Sequence, residues 1–507
     1  MPTPSLADLL DRLNRAGLLV RTSGHEKEGA ELGHLTADSR AVRSGSLFVA
    51  IRGEQADGHA FLDNAVKHGA IAVLREAAPV GSDPDGAASP QPATDSFDQH
   101  VFVIDVTSTR AALAEAAALL YGDPSRELAI AGVTGTNGKT TTTFLLHHVF
   151  QALGHKAGLI GTVETRLGDT VRESTHTTPG PEELQALLRE MVDAGCTHAA
   201  MEVSSHALDQ QRVRAVRFSA GVFTNLTRDH LDYHPTFEHY ARSKRRLFDG
   251  LDTDAVAITN ADDETGVRMT ARTQARRVTY GQSEAADVRF QIVENTLAGL
   301  VLAMGGRTQR YRLVGGFNAY NLAAAFASAT GMGLDADAVL NALAEAPPVP
   351  GRFEQFQDAR ARTVVVDYAH TPDALDNVLR TMRETMPEGA HLWVVFGCGG
   401  DRDAGKRPVM GQVAERLADH VVLTSDNPRT EDPEQILSDI AAGMTRPPEA
   451  RIADRADALA YVAARAADGD GVLVTGKGHE PYQILGTEKR HFDDREEVQR
   501  LFGGGGG

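Results

Sequence analysis

Two cysteines in 507 residues, Cys196 and Cys398, allow no disulfide framework and no cysteine-spaced metal site. A reducing, cytoplasmic setting is expected. Lysine and arginine number 51 against 69 aspartates and glutamates, a formal net charge of −18. Without a basic excess to displace counterions, a nucleic-acid-coating protein is excluded. Small anionic substrates respond to local charge and are not excluded. No stretch reaches the ~18 consecutive apolar residues of a membrane span, so no membrane insertion is expected. The opening Met1-Pro-Thr-Pro-Ser-Leu-Ala-Asp lacks the basic and apolar regions of a secretory signal. No internal repeat of fixed period is visible. What remains, 42% hydrophobic and 24% charged, is an ordinary globular balance with length for about three domains.

The chain divides into three blocks. Residues 1–107 hold short apolar runs at 46–51, 70–74 and 101–105, with a helical pattern at 60–68. Residues 77–99, rich in Pro, Ser, Asp and Gly, predict a mobile surface loop. Residues 108–350 begin with an Ala-rich helix at 109–121. They then alternate strand and helix: 128–133, 140–153, 182–194, 198–203. That alternation predicts an α/β fold with a parallel sheet covered by helices. Residues 351–507 follow a Pro-rich stretch at 347–350, a candidate hinge. They repeat the pattern with strands at 363–367, 391–397, 420–424 and 471–475. The glycines at 503–507 predict a disordered tail.

One segment has a specific chemical logic. The buried run Leu128-Ala-Ile-Ala-Gly-Val133 leads into Thr134-Gly-Thr-Asn-Gly-Lys-Thr-Thr-Thr-Thr143 and then a helical pattern. Gly135 and Gly138 let successive N–H groups turn toward one point, at which the following helix aims its positive end. Lys139 adds a mobile cation for β- and γ-phosphates, and the Thr140 hydroxyl can ligate Mg²⁺. Val133 stands where the usual pattern has glycine, so an ordinary glycine turn is the competing reading.

Two further strand ends, at Glu202 and before His230, lie where open parallel sheets bind ligands. With Thr140 they form an oxygen-rich set suited to Mg²⁺ rather than zinc. In the third block, three strand ends deliver Arg402, Asp426, Asn427, Arg429, Lys477 and Glu480 to one edge. Arginines for carboxylates and carboxylates for ammonium groups would suit a zwitterion. A set of polar turns is the alternative.

Thr136-Asn-Gly-Lys-Thr-Thr141 in its strand–helix context resembles the Mur ligase family, ATP-dependent amino-acid ligases of peptidoglycan precursor synthesis. The resemblance runs over nearly the whole chain. It implies a UDP-sugar-binding α/β domain, a central P-loop domain and a Rossmann-like C-terminal domain. It implies ATP at Gly135, Thr136, Asn137, Gly138, Lys139, Thr140 and Thr141, with Asn321 against the adenine. Mg²⁺ would be held by Thr140, Glu202, His230 and Lys244, the last as N6-carboxylysine; Lys139, His230 and Lys244 would be catalytic.

UDP-N-acetylmuramoyl-L-alanyl-D-glutamate would meet Ala37, Ser39, Glu54, Gln55 and Ala56, and further along His176, Thr177, Thr178, Ser204, Gln210 and Arg212. Asp426-Asn-Pro-Arg429 resembles the stretch of the family members that add meso-2,6-diaminopimelate, implying contacts from Arg402, Asp426, Asn427, Pro428, Arg429, Gly476 and Glu480. The physical reason is that diaminopimelate is lysine with a second carboxylate, for which Arg429 supplies the cation. The implied activity is cytoplasmic, ATP-dependent amide ligation through an acyl phosphate, by a monomer. Lysine-adding or folylpolyglutamate-type ligation, a P-loop ATPase and a non-catalytic nucleotide-sugar-binding module are the alternatives.

Overall fold

Short, mostly apolar runs form the buried strands, and the polar residues that follow them become the loops of the site. The computed structural model describes residues 3–24, 29–53, 56–77, 101–358 and 360–503. Glu54, Gln55, residues 78–99 of the expected loop and glycines 504–507 lie outside the described residues. Gly503 caps the last helix, Asp494–Phe502. Among the described residues no helix is long and apolar enough to cross a membrane.

The first sheet orders its strands Leu19–Ser23, Phe102–Val106, Ala70–Glu76, Ser46–Val49, His34–Thr36. All pairs are parallel except the Leu19–Ser23 edge. A helix not anticipated from the sequence, Leu6–Arg15, covers one side. Ser5 and Asp8 cap it reciprocally, and Leu6, Leu9 and Leu13 recur at helical spacing on its buried face.

Among the described residues the central sheet has eleven strands. Its parallel middle runs Ala157–Ile160, His198–Glu202, Ala129–Thr134, Ala220–Phe223, Val256–Asn260, Arg276–Gly281. Antiparallel hairpins extend both edges, so the sheet is mixed rather than purely parallel. The helices Lys139–Ala152 and Gly316–Gly331 pack in one apolar cluster, with Leu145, Leu146, Phe150, Leu322 and Phe326. Strand order reverses about Ala129–Thr134, whose neighbours on the two sides are His198–Glu202 and Ala220–Phe223. Such a switch point opens a crevice beyond the strand ends, where the phosphate loop sits.

The C-terminal sheet has the order Glu354–Gln357, Thr363–Asp367, Gly471–Thr475, Leu392–Phe396, His420–Leu423, Ala450–Arg451, parallel except for its first pair. Arg455 and Asp494, both fully buried, form a bidentate pair at 2.7 Å on each arm. Arg455 also donates to the carbonyls of Ser425 and Thr475, at 3.2 and 3.0 Å. These residues immediately precede Asp426 and Gly476, so one buried guanidinium sets the spacing of two loops.

Candidate active site

The phosphate loop needs glycine at two places. Gly138 has φ +87°, and a Cβ there would stand 2.4 Å from Asn321 Oδ1; at Gly135 it would stand 1.8 Å from Thr224 Oγ1. Lys139 Nζ folds back to donate to the carbonyls of Gly135 and Thr136, at 3.0 and 2.9 Å. Lys244, on the helix Phe237–Asp249, donates to the same Gly135 carbonyl at 2.7 Å, with its Nζ 4.4 Å from the centre of the Tyr240 ring. Burial pushes both ammonium groups below the usual lysine range, and Lys139 pushes Lys244 further. Two cations thus share one carbonyl, an arrangement made for an anion.

Around them, Glu202 accepts from Thr162 N at 2.8 Å and Thr162 Oγ1 at 3.2 Å. His230 has φ +54°, and its Nε2 lies 3.3 Å from Asp229. Burial keeps the His230 ring well below its ordinary range, hence neutral. Lys139, Thr140, Glu202, His230, Lys244 and Asn321 line a single cavity of about 690 Å³.

The opposite wall comes from the C-terminal sheet. Asp367, Tyr368, His370 and Asp373 face the same cavity. Arg352, just beyond the Pro-rich stretch, donates to Thr140 Oγ1 at 2.9 Å and lies over the Tyr368 ring at 4.4 Å. Asn137 donates to Asp373 at 3.0 Å, and Arg228 pairs with Asp403 at 3.5 Å. None of Arg352, Tyr368, His370 and Asp373 stood out in the sequence. The one available signal was the position of Arg352 two residues after the Pro-rich stretch at 347–350.

One layer behind Tyr368 lie the C-terminal loops. Asn427 donates to Glu480 at 2.9 Å and accepts from Lys477 at 3.4 Å. Lys477 is fully buried, 3.9 Å from Asp426 and 3.6 Å from Glu480. Burial and Asp426 raise the Glu480 carboxyl, and Lys477 works against them. Arg429, at φ +51°, donates to the Gly400 carbonyl at 2.8 Å. A hairpin absent from the sequence reading fastens this loop: Gln483 Nε2 donates to the Asp426 carbonyl at 2.7 Å, and Ile484 N to Asn427 Oδ1 at 2.9 Å. Gly476 lies beside Asp426. Arg402 is exposed, its guanidinium donating to the Asp401 carbonyl, and stands at the rim of this group.

A third cluster adjoins the cavity. Thr178 Oγ1 donates to the Glu202 carbonyl and accepts from Ser204 N, at 2.9 and 3.0 Å. Arg212 donates to the Thr178 carbonyl at 2.9 Å and to Gln210 at 2.7 Å. Thr177 meets Thr162 at 3.0 Å. His176 is not drawn in; it is exposed, and its ring meets Thr175 Oγ1 at 3.1 Å. Ala37 and Ser39 are half-buried and Ala56 exposed on the first sheet's loops.

A P-loop at a switch point, a buried lysine pair and a second α/β sheet facing them define an enzyme that handles phosphate beside a second, polar substrate. The chain matches the Mur ligase family catalytic domain over residues 31–121, the Mur ligase middle domain over 133–329 and the Mur ligase glutamate ligase domain over 351–478. It belongs to the Mur ligase family.

A UDP-N-acetylmuramoyl-L-alanyl-D-glutamate–2,6-diaminopimelate ligase from Parabacteroides distasonis is 44% identical over 94% of this chain and 95% of its own. The ligase of that name from Chlorobaculum tepidum is 43% identical over 98% and 97%. A solved structure with the same name is 33% identical, with a TM-score of 0.66 over 99% of both chains. The MurF ligase from Thermotoga maritima, solved with ADP, shares the fold at 20% identity and a TM-score of 0.60, over 92% of this chain and 96% of its own.

Proposed function

We propose that this protein is an ATP-dependent ligase that joins meso-2,6-diaminopimelate to the D-glutamate side-chain carboxylate of UDP-N-acetylmuramoyl-L-alanyl-D-glutamate. The observation that carries the reading is the meeting of two sheet edges over one cavity, with phosphate-type cations on one side and, behind the other, a loop set built for a zwitterion. The names of relatives at 43–44% identity over nearly the full chain agree with it.

In this reading the loop N–H groups, Lys139 and the helix N-terminus receive the triphosphate. The residues fit Mg²⁺. Among the described residues no three His, Cys, Asp or Glu side chains gather into a metal cage. A hydroxyl and a carboxylate on the wall of a phosphate-binding cavity are instead what Mg²⁺ uses when phosphates and water complete its shell. Thr140, Glu202 and His230 would hold it, and it would neutralise charge between two anions. Lys244 fits as a carbamate rather than as a third cation. Burial that favours its neutral amine favours reaction with CO₂, and the carbamate would turn repulsion from Lys139 into attraction.

The acceptor carboxylate takes the γ-phosphoryl group and becomes an acyl phosphate. The diaminopimelate amine then attacks the acyl carbon, the amide forms and phosphate leaves. Thr177, Thr178, Ser204, Gln210 and Arg212 would carry the peptide end of the acceptor, and Ala37, Ser39, Glu54, Gln55 and Ala56 its nucleotide. Asn321 would face the adenine end. Asp426, Asn427, Glu480 and the Gly476 backbone would bind the amino-acid head. Arg429, with Arg402 at the rim, would bind the far carboxylate.

The test is to offer the purified protein its nucleotide substrate, ATP and Mg²⁺ with diaminopimelate, lysine or glutamate in turn, and to weigh the product. A diaminopimelate adduct in clear excess is expected. Equal use of lysine, or phosphate release independent of any amino acid, would overturn the reading.

A further inference from the structure

Ligation needs a proton acceptor. A diaminopimelate amine arrives as an ammonium, which has no lone pair until a proton leaves. Both lysines of the cavity are donors bound to the Gly135 carbonyl. Two imidazoles are among the side chains lining the cavity, His230 and His370, and the reading above spends His230 on the cation. His370 lies on the loop after Thr363–Asp367, in the sheet whose other loops form the candidate amino-acid site. Its Nδ1 is 3.0 Å from the Tyr368 carbonyl oxygen. A carbonyl only accepts, so Nδ1 carries the hydrogen and donates it. The neutral ring then holds its lone pair on Nε2. Nε2 lies 3.9 Å from Asp229 Oδ2, across the junction of the two sheets.

We infer that His370 takes the proton from the attacking amine, and that Asp229 steadies the imidazolium so formed; this rests on the ligation reading above. The nitrogen lone pair freed by the proton makes the C–N bond. The bond from acyl carbon to phosphate oxygen breaks with its electrons going to phosphate, and the proton ends on Nε2. Burial, Lys406 and Arg352 hold the free ring below its ordinary range, while Asp229 and the Tyr368 carbonyl oppose them. The ring is therefore an unprotonated acceptor at neutral pH. Asp229 faces both rings, with His230 Nε2 at 3.3 Å and His370 Nε2 at 3.9 Å. Because the carboxylate sits on the central sheet and the imidazole on the C-terminal one, the pair exists only while the two are docked. Phosphoryl transfer needs no such pair, so a proton acceptor assembled this way withholds amide formation, and not acyl-phosphate formation, until docking is complete.

The full-length protein with His370→Gln or His370→Ala tests this. Hydroxylamine, already unprotonated at neutral pH, traps the acyl phosphate without help from a base. Ligation of diaminopimelate by the variants should fall by about 10²- to 10⁴-fold, while hydroxamate yield stays within about threefold of the parent protein. That yield also reports that the variants fold. The deficit should shrink as pH rises toward that of the free amine, and imidazole should restore part of the activity of His370→Ala. An equal loss of hydroxamate and ligation, or a deficit unchanged with pH, would overturn the inference. A parent protein that traps hydroxamate but ligates no diaminopimelate would overturn the ligation reading instead, and this inference with it.

Discussion

The two sheet edges hold their cations in different ways. At the central edge, Lys139 and Lys244 share one backbone carbonyl, and burial works against the charge of each. At the C-terminal edge, Lys477 lies between Asp426 and Glu480 and donates to Asn427, which donates in turn to Glu480, while one buried Asp426 oxygen keeps no hydrogen-bond partner. The first rests its ammonium groups on neutral carbonyls, with Glu202 and Asp229 acting on Lys139 without a direct bond, so phosphate oxygens can take the carbonyls' place. The second sets its ammonium among carboxylates, contacts that a zwitterion can replace group for group. Cations held on neutral acceptors suit a phosphate ligand whose charge must be neutralised as it reacts. Cations held among carboxylates suit a ligand that carries both signs, and they leave discrimination to the arginines outside that set, Arg429 and, at the rim, Arg402.

The largest effect should follow from removing a cation at the central edge. Lys139→Ala should lower ATP-dependent phosphate release by roughly 10³-fold, measured in steady state with saturating substrates; near-normal turnover would mean that the loop is not the phosphate site. At the C-terminal edge, Arg429→Ala should raise the apparent KM for diaminopimelate by roughly 10²-fold, the worth of a lost charge-assisted pair, and that for ATP by less than about threefold. Equal rises would remove its role as reader of the far carboxylate.

Third comes stability. Arg455→Met leaves Asp494 charged and unpaired in the core. It should cost about 3–5 kcal/mol in urea unfolding, whereas Arg455→Met with Asp494→Leu should cost much less. A single variant as stable as the parent would show that the pair does not set the two loops.

The smallest effect concerns pH. His147 lies on the buried face of the phosphate-loop helix with its Nε2 unpartnered, and burial, then Arg166, push it down to about 4. In the unfolded chain it titrates near 6.5, so the unfolded state binds the proton first. Stability contributed by the neutral ring is complete above that value and declines as pH falls from about 6.5 toward 4. His147→Gln should flatten that part of the unfolding-midpoint curve; an unchanged slope would assign it to other groups.

Parallel strands such as Leu392–Phe396 and Gly471–Thr475 could be read in the sequence because they are buried on both faces and therefore nearly all apolar, whereas Arg276–Gly281, which begins exposed with two arginines, could not. The edge hairpins could not. Val288–Thr296 is exposed along much of its length and carries arginine, glutamine, glutamate and asparagine, while Glu354–Gln357 has one apolar residue in four. The phosphate loop and Asp426-Asn-Pro-Arg429 were visible because their chemistry lies in consecutive residues. Arg352 and His370 were not, because what defines them is a partner on the other sheet. Arg352 meets Thr140 across 212 positions, and His370 faces Asp229. No local pattern in a sequence encodes such a meeting.

A crystal structure with a non-hydrolysable ATP analogue and meso-diaminopimelate bound together would decide whether the two edges serve one reaction. It should place the terminal phosphate at Lys139, the far carboxylate of the amino acid at Arg429, and the nucleophilic amine inside the shared cavity beside His370. An amino acid bound with its amine turned away from that cavity, in a chain whose sheets remain docked as here, would contradict it.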